Sequence, residues 1–404
     1  MPRPPVRVLL LEGIHPRAKE ILERQGYQVQ LEVHAPSESE LKGLLKNFDV
    51  VGIRSKTQLS SSILELSPQI LVIGAFCIGT DQVATVAANH MGIPVFNAPY
   101  SNTRSVAELV IAEFVALSRQ LGDRNTKAHQ GIWQKSADGA HEIRGKTLGL
   151  VGYGHIGSQV SVLAEAFGMR VVYFDVIKKL PLGNSQPCES LKDLLGQADF
   201  VSLHVPDTTQ TRDMITAKEL AWMKKGAHLI NASRGRVVDI SALAAAIRNK
   251  HVAGAAVDVF PEEPASNKEK FVSELQGLPN VILTPHIGGS TEEAQEAIGV
   301  EVAQSLIGYL ENGSTRGAVN FPNVDLPVLH SDCHRMINVH RNVPGVLSEI
   351  NGIVSEIGAN IQAQFLSTDA TIGYLVMDME KGETDQVARQ VEKLPTSIKT
   401  RIVF

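Results

Sequence analysis

The chain has 404 residues, with 38 Lys and Arg against 43 Asp and Glu, a net charge of −5 that no run concentrates. At roughly 150 residues per domain this length gives two to three domains. An apolar fraction of 43% with 33 glycines excludes disorder and collagen-like repeats, and the lack of a basic face argues against a nucleic-acid binder.

The longest apolar stretches, such as 71–79, fall far below the ~20 residues that cross a bilayer. Glu12 breaks the first apolar run too early for a signal peptide. Three cysteines (Cys77, Cys188, Cys333), without C-x-x-C spacing, point to a reducing cytoplasm.

Short β-prone runs alternate with helical stretches. A strand over 6–11 precedes a helix over 15–25, and further strands read at 50–53, 70–73 and 95–96. Ser105 and Glu108 have capping-box spacing ahead of the apolar run 109–117. From 148 the rhythm repeats, with strands at 148–151, 171–174, 200–203, 227–231, 255–259 and 281–284, which suits a doubly wound parallel sheet. A long helical pattern covers 290–310, opened by acids at its favourable end.

These elements predict an α/β protein with two Rossmann-like parallel-sheet domains. The first is discontinuous, over 1–101 and 290–318, and the second covers 102–289. A stretch with two prolines makes 319–333 a linker, and 334–404 reads β-α-β-β-α-β, a ferredoxin-like fold. Its strands are expected at 335–340, 360–366, 371–379 and 398–404, with helices over 343–357 and 384–393.

The motif Gly152-Tyr153-Gly154-His155-Ile156-Gly157 matches G-x-G-x-x-G between a strand and a helix. Its glycines permit a tight turn, close approach of a pyrophosphate and helix–strand packing, while the helix start presents N–H groups to the anion. Eighteen residues after Gly157, Asp175 ends the next strand, in place to bind ribose hydroxyls and to repel the 2′-phosphate of NADP. Lys178 and Lys179 read as a solvated loop.

Arg234, Glu263 and His286 follow three successive late strands, at the carboxyl ends where open α/β sheets bind ligands. Arg suits a carboxylate, His suits proton transfer, and Glu orients an imidazole. From spacing alone, three unrelated surface groups remain the alternative. Ser233 lacks the G-x-S-x-G elbow of a hydrolase. His330, Cys333, His334 and His340 fit no zinc-finger spacing, so no metal is expected.

Together GYGHIG, NASRGRVVD, DVFPEEP and TPHIGGST, with LEGIHPRA, IRSKT, FCIGTDQV and VFNAPYSNTRSVAEL, resemble in order the D-isomer-specific 2-hydroxyacid dehydrogenases. Within that family the match is to the branch that oxidises D-3-phosphoglycerate in serine biosynthesis, and the last domain resembles an ACT regulatory domain. The resemblance implies NAD as cofactor, contacted by Gly152, Gly154, His155, Ile156, Gly157, Asp175, Ala232, Ser233, Arg234, Asp258, His286, Ile287, Gly288 and Gly289.

It also implies Arg234 on the substrate carboxylate, His286 as acid–base and Glu263 as its partner. Arg54, Lys56 and Lys135 would meet the substrate phosphate. An L-serine effector would take His340, Asn342 and Asn360 in a homo-oligomer, a tetramer. Helix capping and turn formation are the competing reading of Asn342 and Asn360. A glyoxylate or hydroxypyruvate reductase and an NAD-sensing corepressor are the rival functions on this core.

Overall fold

The computed structural model describes residues 5–264, 268–327 and 329–403. The chain divides into two units, 1–101 with 295–404, and 102–294.

In the first unit β1 (Arg7–Leu10), β2 (Gln28–Leu31), β3 (Val50–Ile53), β4 (Val72–Ala75) and β5 (Val95–Asn97) form a parallel sheet in the order β2-β1-β3-β4-β5. The sequences VVGI and VIGA are buried along their whole length because helices cover both faces. Ala18 and Leu22 pack with Val302, Ala303 and Leu306 on one face, and Leu41, Leu45, Ile63 and Leu64 lie on the other. Strand β2 is not among the expected strands because QVQL, at the sheet edge, offers only two apolar residues alternating with glutamines.

The same unit carries an antiparallel sheet of β13 (Cys333–Arg341), β14 (Ile361–Thr368), β15 (Ile372–Glu380) and β16 (Ser397–Val403), in the order β14-β15-β13-β16. The expected strand end at Phe404 lies outside the described residues, as does Val328 in the proline-rich stretch. Helices Val346–Ile357 and Thr384–Glu392 cover one face through Ile350, Val354, Val387 and Val391. The opposite face places Ile337, Val339, Tyr374 and Val376 in one core with Val8, Leu10 and Leu306.

The proline-rich stretch is packed. Phe321 and Val324 are buried in that shared core, and Thr315 Oγ1 donates to the Pro322 carbonyl at 2.7 Å. Arg335, fully buried in β13, donates Nε and Nη2 to the two carboxylate oxygens of Asp378 at 2.6 and 2.7 Å. It also donates to the carbonyls of Asn312 (3.0 Å) and Pro327 (3.2 Å), so one guanidinium joins the last sheet, the long helix Glu292–Asn312 and the proline-rich stretch.

The second unit holds a seven-stranded parallel sheet: β6 (Thr147–Val151), β7 (Arg170–Phe174), β8 (Gln186–Pro187), β9 (Phe200–Leu203), β10 (Ala227–Asn231), β11 (Val252–Val257) and β12 (Val281–Leu283). Their order is β12-β11-β10-β9-β6-β7-β8. The helix Thr103–Ser118 begins before the expected capping box. Ser105 therefore sits inside it and shares a hydrogen bond with the Thr291 hydroxyl at 2.7 Å, while Glu108 pairs with Arg104 at 2.6 Å.

Removing one partner of a buried ion pair leaves the other charge without compensation, which costs about 3–5 kcal/mol. Asp378→Ala is therefore expected to lower the unfolding free energy of the first unit by that amount in denaturant titration, and an unchanged midpoint would remove the pair from the stability of the docked sheet.

Candidate active site

Each parallel sheet reverses its strand order once, between β6 and β9 in the second unit and between β1 and β3 in the first. Crevices for ligands form outside the carboxyl ends of strands at such points.

The glycine loop leaves β6 at the second unit's reversal. Gly152 has φ +90°, and a Cβ there would collide with the His204 carbonyl. A Cβ on Gly157 would meet the Gly152 carbonyl, whereas Gly154 faces open space. That open glycine, ahead of the helix His155–Ala166, is the cradle a pyrophosphate requires, and the residues present fit a dinucleotide. Asp175 closes the loop from β7: its carboxylate accepts the Tyr153 N–H at 2.8 Å and the Ile177 N–H at 2.9 Å. His155 is exposed at the helix start, and Ile156 is half-buried behind it.

Three later loops of the same rim carry the proposed chemistry. After β10, Asn231 Oδ1 accepts from both the N–H and the hydroxyl of Ser233, and Asn231 Nδ2 donates to the Arg234 carbonyl at 3.0 Å. Asn231, which the motif reading does not single out, thus shapes the Ala232–Ser233–Arg234 turn. Its signals in the sequence are its place at the strand end and at the head of NASRGRVVD.

After β11, Asp258 is buried and accepts from the Thr284 hydroxyl (2.6 Å), the Ile287 N–H (2.8 Å) and the Gly288 N–H (2.8 Å). Asp258 consequently fixes the turn that presents His286, whose backbone has φ +54°, a left-handed conformation that non-glycine residues seldom adopt. On the far side of that turn a Cβ on Gly289 would run into the Asn102 side chain.

His286 Nδ1 lies 2.8 Å from Glu263 Oε2. The Glu263 hydrogen bond raises the imidazole pKa above its ordinary value, against burial, with the charges of Glu263 and Asp258 adding and that of Arg234 subtracting. Burial alone would push the Glu263 carboxyl up, but the His286 hydrogen bond and charge, the Phe260 N–H and Arg234 hold it below the usual range. Arg234, Glu263 and His286, expected from strand ends alone, are therefore within electrostatic reach of one another. Glu113, in the helix Thr103–Ser118, is not foreseen by any motif. Both its oxygens lack a hydrogen-bond partner, and burial, then the Asp258 charge, raises its pKa to about 8.

At the first unit's reversal, Glu12 follows β1 and Arg54 follows β3. Arg54 is half-buried and Lys56 exposed, on a loop held by Glu12. Lys135 is exposed in the second unit.

In the last sheet Asn342 is exposed and donates to the Asp369 carbonyl at 2.7 Å, and Asn360 is exposed and donates to Glu380 at 2.8 Å. His340 lies deeper than the two amides. It is 4% exposed, with Nδ1 3.0 Å from Asn338 Oδ1 and its ring where a Gly373 side chain would stand.

Residues 111–288 match the NAD-binding domain of the D-isomer-specific 2-hydroxyacid dehydrogenases, and residues 337–399 match the ACT domain described as AHAS small subunit-like. The D-3-phosphoglycerate dehydrogenase of Dictyostelium discoideum is 51% identical over 403 residues, covering 100% of this chain and 98% of that one. The enzyme of that name from Escherichia coli K12 is 50% identical over 403 residues, at 99% and 98% coverage. The chain belongs to the D-isomer-specific 2-hydroxyacid dehydrogenases.

Solved structures of such folds agree. The TT0316 protein of Thermus thermophilus gives a TM-score of 0.70 at 31% identity, over 78% of this chain and 100% of that one. The Aquifex aeolicus D-lactate dehydrogenase, complexed with NAD and lactic acid, gives 0.69 at 27% identity, with the same coverage. This 2-hydroxyacid dehydrogenase is thus an NAD-dependent oxidoreductase with an appended ACT domain.

Because the Glu263 hydrogen bond raises the His286 pKa, the neutral imidazole, which the sequence reading makes the acid–base group, is lost as pH falls through that raised value. Glu263→Gln should move the acid limb of the kcat/KM profile for oxidation to lower pH. An unmoved limb would separate Glu263 from His286 titration.

Proposed function

We propose that this dehydrogenase oxidises D-3-phosphoglycerate to 3-phosphohydroxypyruvate, in the route to L-serine. The near-complete match to relatives of that activity supports the substrate, and the His286–Glu263 pair beside Arg234 carries the chemistry. NAD, when bound, supplies the hydride acceptor.

With Nδ1 engaged by Glu263, His286 has Nε2 for the substrate hydroxyl and takes its proton as C2 is oxidised. Glu263 stabilises the imidazolium that results, and Asp258 holds the turn so that the ring keeps its position. Arg234 binds the carboxylate and the developing carbonyl oxygen, for which a planar guanidinium is matched. Asp175 takes the ribose hydroxyls of the cofactor. Arg54, Lys56 and Lys135 meet the phosphate, a demand that glyoxylate or hydroxypyruvate does not make.

The reading extends to a tetramer regulated by serine. The helix Leu121–His129 buries none of its residues, Ile132 and Trp133 beyond it are exposed, and β14 is an edge strand. Pairing of each surface with its copy on another chain would close a four-chain assembly. Asn342 follows Arg341, which pairs with Ile372, and Asn360 precedes Ile361, which pairs with Met379. The two amides belong to opposite ends of β15, roughly 24 Å apart at ~3.4 Å per residue. A serine held by both therefore needs Asn342 of one chain and Asn360 of another. Three free cysteines suit a cytoplasmic enzyme, and among the described residues no helix is long and apolar enough to cross a membrane.

His286→Asn should lower kcat with 3-phosphohydroxypyruvate and NADH by ~10²–10⁴-fold, the range for losing a positioned acid–base group, with NADH affinity retained. A kcat near that of the wild type would remove His286 from the mechanism. Millimolar L-serine should inhibit the wild type and lose that effect in Asn342→Ala; equal inhibition of both would assign the amide to capping.

A further inference from the structure

The loop that carries Arg54 and Lys56 is built around a carboxylate from another strand. Glu12 Oε1 accepts the N–H of Arg54 (3.1 Å) and of Thr57 (2.8 Å), and Oε2 accepts the N–H of Lys56 (3.0 Å). Glu12 itself has φ +62°, a left-handed conformation that costs a non-glycine residue about 1–3 kcal/mol and persists only where the surroundings impose it. Here the Glu12 N–H donates to the His34 carbonyl at 3.3 Å and the Gly13 N–H to that of Glu32 at 2.9 Å, which aims the side chain across β3. From the other side, Gln82, nearly buried, donates Nε2 to the Arg54 carbonyl at 2.7 Å.

Three N–H groups turned toward one point are a site for an anion, and in this chain the anion is internal. An incoming phosphate is thereby left to the side chains of Arg54 and Lys56, whose backbone positions Glu12 sets. We propose that Glu12 is the positioning residue for this loop and, through it, for the preference for a phosphorylated substrate over its unphosphorylated analogue. The inference rests on the reading of Arg54 and Lys56 as phosphate ligands.

Glu12→Gln keeps the shape but offers one acceptor oxygen and an NH₂ group that faces other donors. A charge-assisted contact is worth about 1.5–3 kcal/mol, roughly ten- to a hundredfold in affinity, so misplacing it is expected to cost about tenfold. KM for 3-phosphohydroxypyruvate should rise by that factor, while KM for hydroxypyruvate, KM for NADH and kcat stay at wild-type values. In the Arg54→Ala/Lys56→Ala background, Glu12→Gln should reduce discrimination no further.

An equal rise of KM on both keto acids, no change, or a fall for the phosphorylated one overturns the role of Glu12. Discrimination lost in the Arg54→Ala/Lys56→Ala variant but kept in Glu12→Gln overturns it while sparing the cations. Discrimination kept by the Arg54→Ala/Lys56→Ala variant overturns the assignment of the cations, and that of Glu12 with it.

Discussion

Carboxylates that accept backbone N–H groups hold the loops on which this enzyme depends. A loop leaving the end of a parallel strand has lost its ladder partners, and each buried donor left unpaired costs about 1–3 kcal/mol. Glu12 supplies acceptors for the loop after β3, Asp175 for the glycine loop and the turn after β7, and Asp258 for the turn that presents His286. Charged acceptors make shorter and stronger hydrogen bonds than neutral ones, so these turns are held without bulk packing. Glu113 is the contrasting case, a buried carboxyl whose two oxygens accept no hydrogen bond. Burial, then the Asp258 charge, pushes its pKa up to about 8.

Much of this was legible in the sequence because the motifs sit where topology demands them. GYGHIG follows a fully buried strand, and Arg234, Glu263 and His286 each follow a late strand of one parallel sheet, so their approach is a property of strand order. The ferredoxin-like domain was readable because its strands and helices alternate with distinct periods, and its helices differ from the expected ranges by only a few residues at their ends.

The remainder was hidden for physical reasons. That His340 lies opposite Gly373 depends on register, which a single residue type does not reveal. Glu12 looks like a chain breaker because its partners lie over forty residues away. Ser105 and Glu108 satisfy a capping pattern that the helix bypasses by starting earlier. Proline content marks a linker, yet Phe321 and Val324 supply the apolar surface that packs it.

The discontinuity of the first unit bears on how the chain is made. Its core joins Val8, Leu10 and Val72 to Val302, Leu306, Phe321 and Tyr374. During synthesis the early strands leave the ribosome well before the helix Glu292–Asn312 and the last sheet that complete their core. The second unit, drawn from one continuous stretch, has all its partners first. Domains generally fold as units as they emerge, at about 5–20 residues per second. The unit that begins the chain is therefore the last to close, its apolar strands lacking their core partners for about 10–40 s of translation.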